Sequence, residues 1–142
     1  LKKLRLKKIL WVITKKNPLK NKPYLKLKER MKLSKEITKK NKKISIKYFD
    51  DKIRSTSTFN LLNYIKGKTK ADLFFLMGAD NLKKFHKWKN WKQIPKLAKI
   101  VVFPRKNHSR NSIATNNLNK KDLIYINSKK INISSSLIRK FW

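Results

Sequence analysis

Cysteine is absent from the 142 residues, which excludes disulfides and thiolate metal sites. Glycine is nearly absent. Gly67 and Gly78 stand alone, so no glycine-rich phosphate loop of the dinucleotide-binding or P-loop kind follows any strand. The two histidines, His86 and His108, lie far apart without a partner at ligand spacing, which argues against zinc. No apolar run approaches the roughly 20 residues of a transmembrane helix. The segment Ile9 to Ile13, behind a lysine-rich opening, is also shorter than a signal-peptide core and has no small-residue cleavage site after it. A soluble cytoplasmic protein with no membrane association is expected. Leucine rather than methionine at position 1 points to a true start upstream.

Negative charge is the scarcest commodity. Seven Asp+Glu face forty Lys+Arg, a formal net charge of +33. Such a balance is the usual footprint of a nucleic-acid binder. Here, however, the lysines run through almost every segment instead of gathering into one arm or stripe, and lysine greatly outnumbers the arginine that base readers favour. Lys, Asn and Ile are abundant together, as an AT-rich coding bias would produce. Two readings follow from composition: a lysine-biased surface, and a basic nucleic-acid-binding protein. Either gives non-specific polyanion binding and draws in anionic substrates such as nucleotides.

What is present fits one globular domain, with 39% hydrophobic residues. Residues 8–13, 72–77 and 100–103 read as buried strands, β-branched or apolar apart from the opening Lys8 and Asp72. Residues 44–49 alternate, and 123–126 form a short strand. A helix is expected over 24–40, with Leu27, Met31, Ser34 and Ile37 on one face. Another begins at a Ser57 or Thr58 cap, runs through Phe59, Leu62 and Ile65, and stops at Gly67. Shorter helices are expected over 79–85 and 88–97, and a last one opens at Ser134-Ser135-Ser136. Residues 50–55 and 105–121 read as polar connections, and 14–23 as a loop broken by Pro18 and Pro23. Apolar strands alternating with helices predict an α/β fold, a parallel sheet covered on both faces. Ligands bind such sheets at the carboxyl ends of the strands. Three segments occupy such ends: 14–20, 78–81, and Pro104-Arg105.

Five motifs then occur in order along the chain: Thr14-Lys15-Lys16-Asn17-Pro18-Leu19-Lys20; Ser57-Thr58-Phe59-Asn60; Gly78-Ala79-Asp80 followed by Trp88; Val101-Val102-Phe103-Pro104-Arg105; and Ile133-Ser134-Ser135-Ser136-Leu137-Ile138-Arg139. This series resembles the bacterial nicotinate-nucleotide adenylyltransferases, with Ser57 where that family has Tyr, Asn60 for Asp and Ser136 for Thr. The resemblance implies a Rossmann-like nucleotidyltransferase fold. It also implies that the family's first strand, with its Gly-x-Phe-Asp-Pro-x-His-x-Gly-His motif, lies ahead of Leu1, and that a helical stretch follows Trp142. On that reading residues 1–142 are a single, incomplete nucleotidyltransferase domain with its first strand missing. The His-x-Gly-His catalytic pair is not in this sequence, so the chain alone is expected to be inactive. An inactive remnant of the enzyme is the alternative.

The implied reaction joins nicotinate mononucleotide to the AMP part of ATP, with Mg2+ accompanying ATP. A phosphate oxygen is already a nucleophile, so positioning and neutralisation of charge do the catalysis. By the resemblance, Gly78, Asp80, Ser134, Ser135, Ser136 and Arg139 bind ATP, the serines through the free N–H groups of a helix N-terminus. Ser57 and Thr58 read the nicotinate carboxylate, and Trp88 stacks on the pyridine ring. Lys20 and Arg105 are candidate phosphate contacts. Each has an ordinary structural alternative: a serine cap, a strand-ending glycine, a core tryptophan (which Trp91 is also expected to be) or a solvated lysine.

Overall fold

The computed structural model describes residues 4–16, 23–105, 108–109 and 111–127. The chain forms two compact units, Leu1–Leu61 and Leu62–Trp142. Both are α/β, and every strand pairing among the described residues is parallel. Among the described residues the expected parallel sheet is present as a two-stranded sheet in the first unit and a three-stranded sheet in the second.

In the first unit, β1 (Ile9–Val12) pairs with β2 (Ile44–Lys47), Ile9 opposite Ile44 and Val12 opposite Lys47. Parallel strands need a crossover, and α1 (Leu27–Thr38) supplies it. The Ile9–Ile13 run is less enclosed than a uniformly apolar strand predicts. Ile13 is buried, but Leu10 and Trp11 are 39% and 42% exposed. The reason is pairing: among the described residues β1 has a ladder partner on one side, β2. On α1 the inward stripe runs Leu27, Met31, Ser34 and then Thr38, whose hydroxyl donates to the Ser34 carbonyl. Ile37, expected on that face, is 77% exposed, because the 3.6-residue period carries the stripe from 34 to 38. Residues 50–53, read as a polar connection, form a one-turn helix, α2 (Asp50–Ile53), closed by Arg54 at φ 48°.

Helix α3 (Thr58–Lys66) ends as expected, with the Gly67 N–H donating to the Asn63 carbonyl at 3.0 Å. Its N-terminus departs from expectation. Leu61 N–H reaches the Ser57 carbonyl at 3.0 Å, but the Ser57 hydroxyl is buried without a hydrogen-bond partner and caps nothing.

In the second unit β4 (Lys99–Phe103) lies between β3 (Phe74–Gly78) and β5 (Leu123–Tyr125). Central position decides burial. Ile100, Val101 and Val102 are essentially inaccessible, whereas Phe74, Phe75 and Leu76, predicted to be fully buried, are half-buried on a strand that, among the described residues, is paired on one side. The core is completed by Leu82 of α4 (Ala79–Leu82), by Phe85, and by Ile94 of α5 (Ile94–Leu97). Phe85 carries an aromatic cluster. Its ring lies edge-on to Trp88 at 5.3 Å and to Trp91 at 6.0 Å, and Trp88 is edge-on to Phe75 at 5.8 Å. Trp91 is half-buried rather than a core residue.

The helix expected over 79–85 is shorter, with a 3-10 turn over Phe85–Lys87 after it. The helix expected over 88–97 begins only at Ile94. Asn90 takes a left-handed conformation (φ 51°), and Pro95, lacking an N–H, fits a first helical turn. The polar stretch 105–121, predicted to be loop, contains α6 (Ile113–Asn117). Ser112 caps it. Its hydroxyl accepts from Thr115 N–H at 3.2 Å while Thr115 Oγ1 accepts from Ser112 N–H at 2.8 Å, a reciprocal box that closes a five-residue helix. The final helix expected from Ser134 lies outside the described residues.

Removing this cap tests the assignment. Ser112→Ala is expected to lower stability by about 1 kcal/mol, the usual worth of a serine cap. Paired urea melts read the shift, and an unchanged midpoint would remove the cap from the account.

Candidate functional site

The carboxyl ends of the strands carry the chemistry in each unit. In the second, the ladder sets Gly78 opposite Phe103. Asp80 follows Gly78 by two residues and Arg105 follows Phe103 by two, so the register brings a carboxylate and a guanidinium together: Arg105 Nε lies 3.7 Å from Asp80 Oδ1. That separation is an ion pair but too long for a hydrogen bond. Asp80 Oδ1 is itself buried and lacks a hydrogen-bond partner.

Gly78 has φ −83° and ψ 156°, open to any residue, so its backbone does not demand glycine. Space does. A Cβ there would collide with Asp80 Oδ1 and come within 3.1 Å of Arg105 Nε. Gly78, Asp80 and Arg105, chosen from sequence as separate candidates, thus form one constellation. Trp88 belongs to the same unit, half-buried, its plane fixed by the edges of Phe75 and Phe85. His86 Nδ1 is a second buried atom without a partner in this unit. Among the described residues no group of three metal-ligating side chains occurs, and no helix is long and apolar enough to cross a membrane.

In the first unit the ladder ends when Ile13 N–H donates to the Lys47 carbonyl. The next residues are held by side chains. Arg30 of α1 donates from Nη1 to the Thr14 carbonyl at 2.8 Å, from Nη2 to the Lys15 carbonyl at 3.1 Å, and from Nε to the Leu25 carbonyl at 3.2 Å. Asp50, 6% exposed, accepts from Lys15 N–H at 2.6 Å. The Lys15 ammonium donates to Asp51 at 2.5 Å. That hydrogen bond holds the Asp51 carboxyl below its ordinary range and the Lys15 ammonium above its own. Tyr48, whose hydroxyl is shielded from water beside them, has its phenol raised first by loss of solvation.

Sequence reasoning missed Arg30 and Asp50. One arginine among forty cations carries no local signal, and Asp50 stood in a stretch read as a connection. Ser57 and Thr58 sit at the start of α3, Ser57 with its unpartnered hydroxyl and its N–H donating to Ser55 Oγ at 3.1 Å. Lys20, Ser134, Ser135, Ser136 and Arg139 lie outside the described residues.

Residues 1–141 match the family described as cytidylyltransferase-like. A probable nicotinate-nucleotide adenylyltransferase of Pelagibacter ubique is 46% identical over 140 residues, covering 96% of this chain and 78% of that protein. The chain belongs to the nicotinate-nucleotide adenylyltransferase family. Another member, from Fusobacterium nucleatum, is 37% identical over 113 residues; the match takes in 78% of this chain and 58% of that protein. The fold agrees. A Plasmodium falciparum nicotinic acid mononucleotide adenylyltransferase complexed with NaAD superposes with a TM-score of 0.75 at 21% identity, covering 96% of this chain and 69% of that one. The same enzyme complexed with APC also gives 0.75. The sequence-level resemblance to this family and to its Rossmann-like nucleotidyltransferase fold is therefore correct.

Two outcomes test the geometry. Gly78→Ala is expected to leave the melting temperature nearly unchanged, because its φ and ψ suit alanine, while forcing the Asp80 carboxylate off Arg105. A crystal structure of the variant with that pair still in place would contradict the crowding argument. For Asp51, the lowered carboxyl gives a contribution present above the ordinary carboxylate value and lost as pH falls through the lowered one. The raised Lys15 gives one present below the ordinary lysine value and lost as pH rises through the raised one. The stability difference between wild type and Asp51→Asn should therefore be a small plateau through neutrality, small because both groups are exposed. It should fade toward strong acid and in about 1 M salt. A difference that grows on acidification would reverse the assignment.

Proposed function

We propose that this chain carries the substrate-binding framework of an enzyme that transfers AMP from Mg–ATP to nicotinate mononucleotide, giving deamido-NAD and pyrophosphate. A phosphate oxygen of the mononucleotide attacks the α-phosphorus of ATP. The new P–O bond forms as the bond from that phosphorus to the pyrophosphate oxygen breaks, and Mg-pyrophosphate leaves. No proton has to be removed from the attacking oxygen. The protein's part is to align the two nucleotides in line and to offset phosphate charge.

The observation that carries this reading is the Gly78–Asp80–Arg105 constellation at the ends of adjacent parallel strands, in a chain 46% identical to a probable enzyme of that name. Asp80 Oδ1 is buried and lacks a donor. A ribose hydroxyl supplies one, and the absence of a side chain at 78 leaves Asp80 and Arg105 the space they occupy beside it. Arg105 meets a phosphate. Ser134, Ser135, Ser136 and Arg139 take the ATP phosphates, and Lys20 is a further phosphate contact. Ser57 and Thr58 take the nicotinate carboxylate, consistent with the buried, unpartnered Ser57 hydroxyl. Trp88 stacks on the pyridine ring. The continuous family match over residues 1–141 supports a single nucleotidyltransferase domain.

Trp88 supplies the test. Stacking is worth roughly 0.5–1.5 kcal/mol beyond area burial. With the lost contact area added, Trp88→Ala should weaken nicotinate mononucleotide by at least about tenfold. ATP should bind almost as before. A tryptophan serving only the Phe75–Phe85 cluster would instead lower the melting temperature and weaken both ligands together. Calorimetric titration of each substrate, with a thermal melt beside it, separates these outcomes. An unchanged mononucleotide affinity would remove Trp88 from the site.

A further inference from the structure

The segment leaving β1 is held more tightly than a surface connection requires. Backbone groups beyond the end of a ladder are ordinarily satisfied by water. Here Lys15 has its N–H taken by one charged side chain and its carbonyl by another of opposite sign. Asp50 accepts the former and Arg30 donates to the latter, to the Thr14 carbonyl and to the Leu25 carbonyl. Asp50 is almost wholly buried, and placing a carboxylate there costs desolvation that a water-satisfied loop would avoid. The two clamps come from different helices, α1 and α2, so the position of Thr14 and Lys15 is tied to both. Arginine suits the task because its rigid fork reaches three carbonyls at once, which an ammonium cannot do with the same geometry.

We propose that Arg30 and Asp50 are positioning residues: they set the direction in which the chain leaves β1, and thereby hold the Thr14 and Lys15 backbone where it meets the phosphate of the mononucleotide. The assignment of ligand rests on the adenylyltransferase reading above. The clamp itself rests on the hydrogen bonds alone. Neither residue touches substrate; both act through the backbone of Thr14 and Lys15.

Arg30→Lys keeps the charge and loses the fork, and Asp50→Asn keeps the shape and loses the charge. Amide hydrogen exchange on the ligand-free variants reads the clamp directly. The Lys15 amide, which donates to Asp50, should lose protection by at least about tenfold in Asp50→Asn, a change of about 1.4 kcal/mol in the opening equilibrium, with a smaller loss in Arg30→Lys, which loosens only the carbonyl side of the clamp. Calorimetric titration then reads the consequence. Nicotinate mononucleotide should weaken by about tenfold in Arg30→Lys while ATP affinity stays within about twofold. Equal loss for both ligands, tracking a fall in melting temperature, would make these residues merely structural and overturn the proposal. Unchanged Lys15 exchange would overturn the clamp whatever the ligands do. A wild-type chain that binds no nicotinate mononucleotide would overturn the ligand assignment together with the functional reading, while the exchange comparison still decides whether Arg30 and Asp50 hold the loop.

Discussion

Parallel pairing of β3 with β4, in the register that sets Gly78 opposite Phe103, is the constraint on which the second unit's chemistry depends. Both strands then end on the same side, and two residues past each end stand Asp80 and Arg105. Side chains alternate along a strand, so a slip of one residue would turn one strand's set to the opposite face and part the pair. The register is secured by β4, whose Ile100, Val101 and Val102 are enclosed on all sides. The hydrophobic centre of the sheet thus fixes the polar geometry at its edge.

Scarcity of acid gives the few carboxylates disproportionate weight. With seven against forty cations, four have identifiable work. Glu29 accepts from Lys26 N–H at 2.8 Å at the start of α1, Asp50 holds the Lys15 amide, Asp51 pairs with the Lys15 ammonium, and Asp80 faces Arg105. The lysines are spread too widely to say anything individually. In so basic a chain the informative charges are the negative ones, because most of them have a specific partner.

The strands were legible because their apolar runs are short and bounded, and the parallel arrangement followed from their alternation with helices. Gly78, Asp80 and Arg105 were legible as positions past strand ends, but their mutual contact was not, since register is a tertiary property. Burial was overestimated at Leu10, Trp11 and Phe74 to Leu76, because a run of apolar residues reads the same on a strand paired on one side as on a central one. Helix α6 was hidden by its Asn-rich composition, which lowers helix propensity, although Ser112 and Thr115 carried its cap. Asn90 could not be identified as the break before Ile94, since a left-handed residue of this kind is indistinguishable from its neighbours until the backbone is seen. The Arg30–Asp50 clamp joins residues 20 apart in sequence through the backbone of a third segment. No periodicity or motif encodes such an arrangement.

The aromatic cluster around Phe85 has a spectroscopic consequence. Trp88 and Trp91 are held edge-on to the same buried ring at interplanar angles of 63° and 75°, a fixed and asymmetric setting for both indoles. Indoles so held give near-ultraviolet circular dichroism, and that signal disappears when side-chain packing loosens even if the helices and strands persist. Trp11, on the exposed stretch of β1, lacks such confinement. The second unit therefore carries its own optical gauge, one that follows the packing behind Asp80 and Arg105 independently of the secondary structure around it.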